Sequence, residues 1–434
     1  MLGCTMDKIE AIIEEIKVEY QKDNRPWIVG FSAGKDSTCA IQLVYEMLYR
    51  LEPEERTKDI YVLSTNTMVE SPAISIRLKD ICNRIQDSAN RDNLPIKVKL
   101  LRPAITETFW VNVIGRGYPC PNKWFRWCTD RLKIKPMNNF ILNNVKKNGE
   151  VTIVLGTRKS ESASRAASME KHEIKNSHMR SHGSILGAFV YAPLEDLEEY
   201  EVWNYLLSHK SRWGDDNQEL YKLYKGESVE ANVLLSKDAE PTGHSRFGCW
   251  TCTVVDKDRA LQSLIDEGHS EYAPLLEFRD KLKRIRDDEN YREVYRRNQR
   301  MEQFYEQYYG LDKRPTIGKE SLGPFKLSVR HELLKELLEL QKELQKTIPE
   351  AELITPEEIE AIKMAWIYEG DDSVSVDKIV AGSSSTNDGI DGVINHLLAV
   401  EKDMSDLARR TGIYNKSEDV IRQYSMKTML GEKK

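Results

Sequence analysis

Apolar and polar positions alternate in two recurring patterns along the first half of the chain. Short apolar runs are typical of buried strands, and apolar residues repeated every three or four positions are typical of helices. Strands are predicted at residues 27–31, 59–65, 96–101 and 151–157, and helices at 7–21, 36–51 and 71–87. In the second helix, the apolar residues that fall on one face are Ala40, Val44, Met47, Leu48 and Leu51. A further strand end and a helix are predicted within 192–209. This alternation predicts an α/β fold, in which a parallel twisted sheet has helices on both faces.

The pattern changes beyond about residue 210, where strand signals cease. Residues 274–309 are highly charged with helical spacing, and amphipathic helices are predicted at 326–347 and 355–369. Turn-forming residues predict a linker or loop at 313–325 and a flexible break at 381–392. We therefore predict a sheet domain, a cysteine-containing segment that completes the active site, and a helical C-terminal region. Their predicted bounds are 1–210, 211–312 and 313–434.

The composition is that of a globular protein with a substantial apolar core. Of the 434 residues, 40% are hydrophobic and 31% are charged, and the formal net charge is −6. This charge excludes a uniformly basic surface for nucleic acid but is compatible with a local basic groove. No apolar run approaches the ~18 residues of a membrane-spanning helix, and no apolar segment precedes Cys4 as in a lipoprotein signal. We expect a cytoplasmic protein that does not contact a membrane.

The stretch GFSAGKDSTCA, residues 30–40, follows the first predicted strand and opens the next helix. It is not a Walker A loop, because only three residues separate Gly30 from Gly34 and Asp36 stands where that loop needs Ser or Thr. A glycine before a helix nevertheless lets backbone amides approach an anion, which the helix dipole also attracts. The stretch therefore predicts a phosphate-binding loop of another kind.

Polar side chains in this loop extend the same interpretation. Hydroxyl donors to a phosphate are available at Ser32, Ser37 and Thr38. Lys35 would add a positive charge, and Asp36 would cap the helix or help to hold Mg²⁺. The alternative is an ordinary strand-to-helix turn that Asp36 caps.

A second polar segment, GTRKSESASRA at residues 156–166, directly follows the fourth predicted strand. Arg158, Glu161, Ser162 and Arg165 are spaced so that they would share one face of a helix. Two arginines beside a carboxylate at the carboxyl end of a strand suit the phosphates of a nucleotide. The alternative is a solvated helix face.

The seven cysteines are expected to bind metal or do redox chemistry rather than form disulfides, because a cytoplasmic compartment is reducing. Cys249 and Cys252 form a Cys-x2-Cys pair, and seven residues separate Cys120 from Cys128. Together they could supply four thiolates to a tetrahedral Zn²⁺ ion or to a [4Fe–4S] cluster, between which spacing does not decide. The alternatives are buried free thiols or a redox dithiol.

Residues 32–38, SAGKDST, resemble the PP-loop of the ATP pyrophosphatase family, which cleaves ATP between its α and β phosphates. The stretches WCTDRLKIKP (127–136) and APLEDLEEYEVWNYL (192–206) resemble the phosphoadenylylsulfate (PAPS) reductase branch of that family, in the same order. The resemblance implies a PP-loop fold and catalytic roles for Lys35, Asp36, Arg158 and Arg165. It implies nucleotide binding by Ser32, Ala33, Gly34, Lys35, Asp36, Ser37, Thr38, Asn66, Arg158 and Glu161. Asn66 belongs to Asn66-Thr67-Met68, which stands where that branch often has Asp-Thr-Gly.

Within this branch the sequence resembles the DndC-type sulfurtransferases of bacterial DNA phosphorothioation, with the SspD-type enzymes as second choice. The matching stretches are SAGKDST, WCTDRLKIKP, GTRKSESASRAASMEKH and FGCWTC, across about residues 27–260. The resemblance implies that ATP is cleaved to AMP and pyrophosphate to adenylate a DNA phosphate, whose non-bridging oxygen sulfur then replaces. It also implies Mg²⁺ with the ATP, a [4Fe–4S] cluster rather than Zn²⁺, a cysteine desulfurase as sulfur donor, and DndD-like and DndE-like partner subunits.

Two other classes of enzyme and one non-enzymatic function remain open. A tRNA thiolase would need an RNA-binding extension, and an adenylylsulfate or PAPS reductase would need a terminal Glu-Cys-Gly segment. Neither is recognisable in the sequence. The non-enzymatic alternative is a nucleotide-sensing scaffold without turnover, with residues 326–434 as its docking surface.

Residues 116–135 interleave aromatic and basic side chains beside two of the cysteines. The aromatic residues are Tyr118, Trp124, Phe125 and Trp127, and the basic ones are Arg116, Lys123, Arg126, Arg131, Lys133 and Lys135. Such a mixture suits a nucleic-acid strand. The alternative is that the aromatics pack around Cys120 and Cys128 and shield a metal centre. For the charged residues 279–300, a solvated helix face is expected, with contact to DNA as the alternative.

Overall fold

A computed structural model describes residues 2–175, 177–225, 248–293, 322–369 and 379–380. The described residues up to Ile379 belong to one compact unit. The division into three domains stays a prediction. The flexible break predicted at 381–392 and most of the loop predicted at 313–325 lie outside the described residues.

One sheet of six strands forms the centre of the fold. Its strands are β1 Trp27–Gly30, β2 Ile60–Thr65, β3 Ile96–Leu101, β4 Val151–Val154, β5 Met179–Ser181 and β6 Ala188–Tyr191. Their order across the sheet is β3-β2-β1-β4-β6-β5, and every neighbouring pair is parallel except β5 with β6. The predicted α/β fold with a mostly parallel sheet is confirmed. The antiparallel edge strand β5 was not predicted, because three residues are too few to show an alternating pattern.

Eleven α-helices lie within the described residues. They are α1 Leu2–Gln21, α2 Lys35–Arg50, α3 Pro72–Arg91, α4 Lys135–Asn148, α5 Ala163–Lys171, α6 Glu199–Ser208, α7 Asn217–Lys225, α8 Arg259–Asp266, α9 Ala273–Arg286, α10 Leu327–Gln345 and α11 Pro356–Tyr368. The charged segment that begins at 274 is helical only as far as Arg286, and its part beyond residue 293 lies outside the described residues. In the part of the chain that the structure describes, no helix is both long and apolar enough to cross a bilayer.

Both faces of the sheet are buried, as a parallel sheet requires. Trp27 and Val29 of β1 point to one face, where they share a core with residues of α1, α2, α3 and α6. Ile28 points to the other face and shares a second core with Ile141 of α4. The predicted apolar face of α2 lies in the first core, and its residues are Ala40, Val44, Met47, Leu48 and Leu51. Helices on both faces therefore follow from the alternation of side chains along single strands.

The C-terminal helices α10 and α11 pack against a π-helical turn at Val111–Gly115. The indole Nε1 of Trp366 donates a hydrogen bond to Ile114 O at 2.9 Å, and Arg330 Nη1 donates to Gly115 O at 2.8 Å. Arg330 also forms a buried ion pair with Glu369 at 2.6 Å. The helical C-terminal region is thus confirmed at residues 327–368, and it packs against the turn that precedes Cys120 and Cys128.

Candidate active site

The loop between β1 and α2 forms a rigid concave turn. Ser37 Oγ donates to Gly34 O at 2.9 Å and accepts a hydrogen bond from Ser32 N at 3.2 Å. Thr38 N donates to Gly34 O at 2.9 Å, which closes the first turn of α2. The left-handed backbone lies at Ala33 (φ 56°), and Gly34 is extended (φ −88°). Gly34 is needed for space instead, because a Cβ there would lie 3.1 Å from the Tyr224 hydroxyl.

This loop lies where the strand order of the sheet reverses direction. β1 has β2 on one side and β4 on the other, so the chain leaves the carboxyl ends of β1 and β4 toward opposite sides. Ligands of open parallel sheets bind in the crevice that forms at such a point. The start of α2 also directs its free amides and the positive end of its dipole into this region. The position suits the phosphates of a nucleotide.

Lys35, Asp36 and Arg158 meet at the start of α2. Arg158 Nε donates to Asp36 Oδ1 at 2.7 Å, and Lys35 Nζ lies 3.2 Å from Asp36 Oδ2. Arg158 is only 2% exposed, and its Nη1 also donates to Ser160 Oγ at 2.9 Å. The Asp36 carboxylate is therefore held between two cations. Arg158 positions Asp36 here, and its predicted contact with phosphate stays a prediction.

Residues 158–165 do not form the single helix that would place Arg158, Glu161, Ser162 and Arg165 on one face. Lys159–Glu161 is one 3₁₀ turn, and Ser162 is extended (φ −170°) before α5 begins. Ser162 Oγ accepts from Arg165 N at 3.2 Å, so the serine ends one helix and caps the next. Glu161 still joins the two arginines, since it accepts from Arg158 N at 3.1 Å and pairs with Arg165 at 2.6 Å.

Tyr224 of α7 covers the loop, and sequence reasoning missed it. Its hydroxyl accepts a hydrogen bond from Lys35 N at 3.3 Å, and its ring centroid lies 5.3 Å from Lys35 Nζ. The ring also packs edge-on against Trp203, with centroids 5.2 Å apart. Tyr224 stands far from the loop in sequence, so no local pattern could have indicated the contact.

Gly156, directly after β4, lies against the backbone at the start of α2. A Cβ at this position would lie 2.7 Å from the Asp36 carbonyl carbon and 3.0 Å from Ser37 N. We expect Gly156→Ala to lower the free energy of unfolding by about 1–3 kcal/mol, because one backbone segment must move. The same movement is expected to weaken ATP binding. Urea denaturation and titration with ATP measure the two effects.

Gly183→Ala is the matched control, since a Cβ there would lie 3.6 Å from the nearest atoms, which are ordinary contacts with the His172 ring. We expect Gly183→Ala to change neither stability nor ATP affinity. Equal stability of the two variants would contradict the close approach of Gly156 to α2.

The loop after β2 connects the carboxyl ends of the strands to the cysteines. Asn66 Oδ1 accepts from Met68 N at 2.7 Å and so shapes this loop; its contact with adenosine stays a prediction. Thr67 Oγ1 donates to a Glu70 carboxylate oxygen at 2.6 Å and lies 3.3 Å from Cys249 Sγ. Glu70 and Cys249 form an antiparallel bridge. The segment of Cys249 therefore docks at the same sheet edge as the phosphate loop.

The two cysteine pairs are brought into one neighbourhood. The thiol of Cys128 interacts electrostatically with those of Cys120, Cys249 and Cys252. Thr253 Oγ1 donates to Pro121 O at 2.6 Å and ties the two segments together. Sequence spacing predicted this meeting of residues that lie more than 100 positions apart.

Burial keeps the thiols of Cys120, Cys128 and Cys249 protonated near neutral pH, because it raises the pKa of each. It raises the pKa of Cys120 to about 12 and that of Cys249 to about 12, and it also raises the pKa of Cys128. A metal centre here would have to displace protons as it bound, since only thiolates are ligands.

Four cysteines are the right type of residue to bind a metal centre through thiolates. Aromatic residues of the same region are Trp110, Trp127 and Trp250. Across the described residues, however, no group of three or more Cys, His, Asp or Glu side chains stands at distances that would hold a metal ion. Ligation therefore requires the thiols to converge further than they do in this arrangement.

Two arginines of α9 fix the cysteine segments through backbone carbonyls. Arg279, which is 1% exposed, donates from Nε to Cys252 O at 2.9 Å and also donates to Val255 O. Arg286 Nη1 donates to Thr253 O at 2.9 Å. The expectation of a solvated face is wrong for these two side chains, because loop carbonyls provide buried partners that a local charge pattern does not reveal.

We expect Arg279→Ala to lower the free energy of unfolding by at least about 2 kcal/mol. The substitution leaves several buried carbonyls without donors, and each costs about 1–3 kcal/mol. Arg284→Ala is the matched control, because Arg284 lies on the same helix and is exposed, and its effect should stay within about 0.5 kcal/mol. Urea denaturation compares the two variants, and equal effects would contradict the structural role of Arg279.

A sequence profile of the phosphoadenosine phosphosulfate reductase domain family matches residues 26–255, which is more than half of the chain. The chain belongs to this family. The match extends from the residue before β1 to beyond Cys252, so it includes the phosphate loop and both cysteine pairs. The resemblance to the PAPS reductase branch is thereby confirmed.

A relative of this family member is the uncharacterized protein MJ0066 of Methanocaldococcus jannaschii. The two are 27% identical over 241 residues, which cover 56% of this chain and 39% of that protein. The chain thus spans about two fifths of the length of this curated relative.

Two solved structures show more distant similarity. The PAPS reductase from Candida auris, in its phosphate complex, has a TM-score of 0.31 at 13% identity, with 49% of this chain and 85% of that chain covered. The U34-tRNA thiolase NcsA from Methanococcus maripaludis, with its [4Fe-4S] cluster, has a TM-score of 0.31 at 14% identity, with 65% and 80% covered. Such low scores support no conclusion about function, and the family assignment rests on the profile.

Proposed function

We propose that this protein is an ATP pyrophosphatase and sulfurtransferase of the DndC type, which acts on DNA. ATP would be cleaved to AMP and pyrophosphate, and sulfur would replace a non-bridging oxygen of a backbone phosphate. The observation on which the proposal chiefly depends is the contact of Cys249 with Thr67, in the loop after β2. This contact joins the thiols to the sheet edge at which the phosphate loop opens.

The chain's own residues account for the nucleotide step. The positive end of the α2 dipole and the ammonium group of Lys35, which lies beside Asp36, would attract the β and γ phosphates. Arg158 holds Asp36 at 2.7 Å, so one carboxylate stands at a fixed place beside these phosphates. Mg²⁺ commonly binds one or two carboxylates together with substrate phosphates, and Asp36 is the carboxylate that would serve here.

The reaction balances as two displacements at phosphorus. In the first, a non-bridging oxygen of a DNA phosphate attacks the α phosphorus of ATP, and pyrophosphate leaves. In the second, a sulfur nucleophile attacks the adenylated DNA phosphorus, and AMP leaves with the original oxygen. A cysteine desulfurase is proposed as the source of that sulfur, in the form of a persulfide whose terminal sulfur attacks. A thiol reductant then cleaves the remaining S–S bond, which leaves the phosphorothioate on DNA and a disulfide as the oxidised product. DndD-like and DndE-like subunits are proposed as partners.

Cys120, Cys128, Cys249 and Cys252 would hold a [4Fe–4S] cluster, with Zn²⁺ as the alternative. Such a cluster would supply a site for sulfur transfer beside the nucleotide. Aromatic side chains that pack beside these segments, such as Trp110 and Trp250, would help to limit the access of water to the activated phosphate.

The test is reconstitution with ATP, Mg²⁺, cysteine, a cysteine desulfurase and a nucleic acid, followed by mass spectrometry of the digested product. The proposal predicts phosphorothioate linkages in DNA. Thiolated bases in tRNA, or sulfite from adenylylsulfate, would assign the chain to one of the alternative enzymes. ATP binding without turnover on any substrate would indicate a scaffold.

A further inference from the structure

The turn between Cys120 and Cys128 exposes an indole ring almost completely. Trp124 is 96% exposed and Phe125 is 45% exposed, although tryptophan is usually among the more buried residues. Lys123 and Arg126, on either side, are exposed as well. We name residues 123–126 the aromatic tip. The proposed chemistry gives these four side chains no role.

The structure separates the aromatics of residues 116–135 into two groups. Trp127 is buried, stacked on Phe109 with ring centroids 5.6 Å apart, and edge-on to Tyr118. The alternative that the aromatics shield the cysteines therefore fits Trp127 and Tyr118. It does not fit Trp124, because the Trp124 ring is in solvent.

The aromatic tip is held in one conformation. Asn122 Oδ1 accepts hydrogen bonds from Trp124 N and from Phe125 N, both at 2.8 Å. Asn122 N donates to Phe125 O at 3.3 Å. These bonds fix the backbone of the turn, so less conformational entropy is lost when a partner covers the tip.

The charge around the tip suits a polyanion. Lys123 and Arg126 are the exposed cations beside the ring, whereas Arg131 and Lys135 are paired with Glu107, each at 3.2 Å. Asp256 interacts with Lys123, but its carboxylate is already paired with Lys283 at 2.9 Å. Basic side chains beside an exposed aromatic ring are the combination by which proteins bind nucleic-acid strands, with bases on the ring and phosphates on the cations.

We propose that the aromatic tip binds a single strand of DNA, with one base stacked on Trp124 and the backbone phosphates against Lys123 and Arg126. The choice of DNA rests on the proposed function. A single strand is required because the bases of a duplex are covered by their neighbours and offer no free face to the ring.

The tip also lies close to the cysteines. Trp124 is four residues from Cys120 and four from Cys128, and four residues span at most about 14 Å between Cα atoms. A strand on the tip therefore passes beside the thiols, so the tip would deliver a backbone phosphate to the place where sulfur is transferred.

Binding of the full chain to a labelled oligonucleotide, measured by fluorescence anisotropy without ATP, tests the proposal. Trp124→Ala is expected to raise the Kd for single-stranded DNA by at least about 5-fold, and Trp124→Phe should restore most of the affinity. Leu186→Ala is the matched control, since Leu186 is also 96% exposed and lies between β5 and β6. It should leave the Kd unchanged. Both positions are exposed, so the variants should unfold at the wild-type temperature.

A salt titration separates stacking from charge. The Lys123→Ala/Arg126→Ala double variant should reduce the slope of log affinity against log salt by about 1.4, or about 0.7 for each DNA phosphate that is no longer neutralised. Trp124→Ala should leave that slope unchanged. If Trp124→Ala changed the slope and the double variant did not, the assignment of stacking to Trp124 and of phosphate contacts to Lys123 and Arg126 would be wrong.

Three binding results would overturn the proposal. They are a Kd for Trp124→Ala within 2-fold of wild type, a duplex bound more tightly than the single strand through the same residue, and RNA of the same sequence bound more tightly than DNA. Because no ATP is present, binding is independent of turnover. Normal stacking without AMP formation would overturn only the proposed function, and AMP formation without stacking would overturn only this inference.

Discussion

Lys35→Ala is expected to slow the release of pyrophosphate from ATP by about 10²–10³-fold, which is the loss typical of removing one group that stabilises charge in a transition state. Lys35 Nζ stands 3.2 Å from Asp36 at the start of α2, so it is a fixed cation at the phosphate loop. A coupled pyrophosphate assay with saturating ATP and DNA measures the rate, and circular dichroism confirms that the fold is retained.

Lys97→Ala is the control for this variant. Lys97 is half exposed and pairs with Asp59 at 2.6 Å, near the amino ends of β2 and β3 and therefore at the opposite edge of the sheet. We expect this substitution to leave the rate unchanged. If Lys35→Ala released pyrophosphate as fast as Lys97→Ala, the assignment of the loop as a phosphate site would be wrong.

Cys128→Ala is expected to remove nearly all bound iron and acid-labile sulfide, or all zinc, from the purified protein. Cys128 is the thiol that interacts with each of the other three, so its loss should disrupt the whole donor set. Anaerobic purification, followed by iron, sulfide and zinc analysis and by absorption spectroscopy, measures this loss without any assay of activity.

Cys82→Ala provides the comparison, because Cys82 is a buried thiol of α3 that packs in the first core. It should keep the full metal content and lose some stability. Wild-type protein that contains neither iron nor zinc after anaerobic purification, or Cys128→Ala with an undiminished content, would refute the proposed ligation.

The sheet and its helices could be predicted from sequence because their signals are local. The apolar run before the phosphate loop forms β1, and the predicted apolar face of α2 is buried in the core. The four cysteines could also be grouped, since paired thiols are an uncommon pattern with few purposes. The residue type alone thus indicated that the segment of Cys120 and Cys128 lies near the segment of Cys249 and Cys252.

The remaining features depend on partners that are far apart in sequence. From its sequence context, Arg279 is expected to be a surface charge. In the structure, it donates to the carbonyl of Cys252, which is far from it in sequence. Trp124 and Trp127 have the same side chain three positions apart, yet one is in solvent and the other is buried. Ser162 interrupts a helix that spacing alone would continue, because its hydroxyl caps α5 instead.

The nucleotide product tests the central claim most directly. Wild-type protein would be incubated with ATP and Mg²⁺, with and without single-stranded DNA, and the nucleotides separated by chromatography. The account predicts AMP and an equal amount of pyrophosphate, formed faster when DNA is present. Formation of ADP and phosphate, or no product with any nucleic acid, would contradict it.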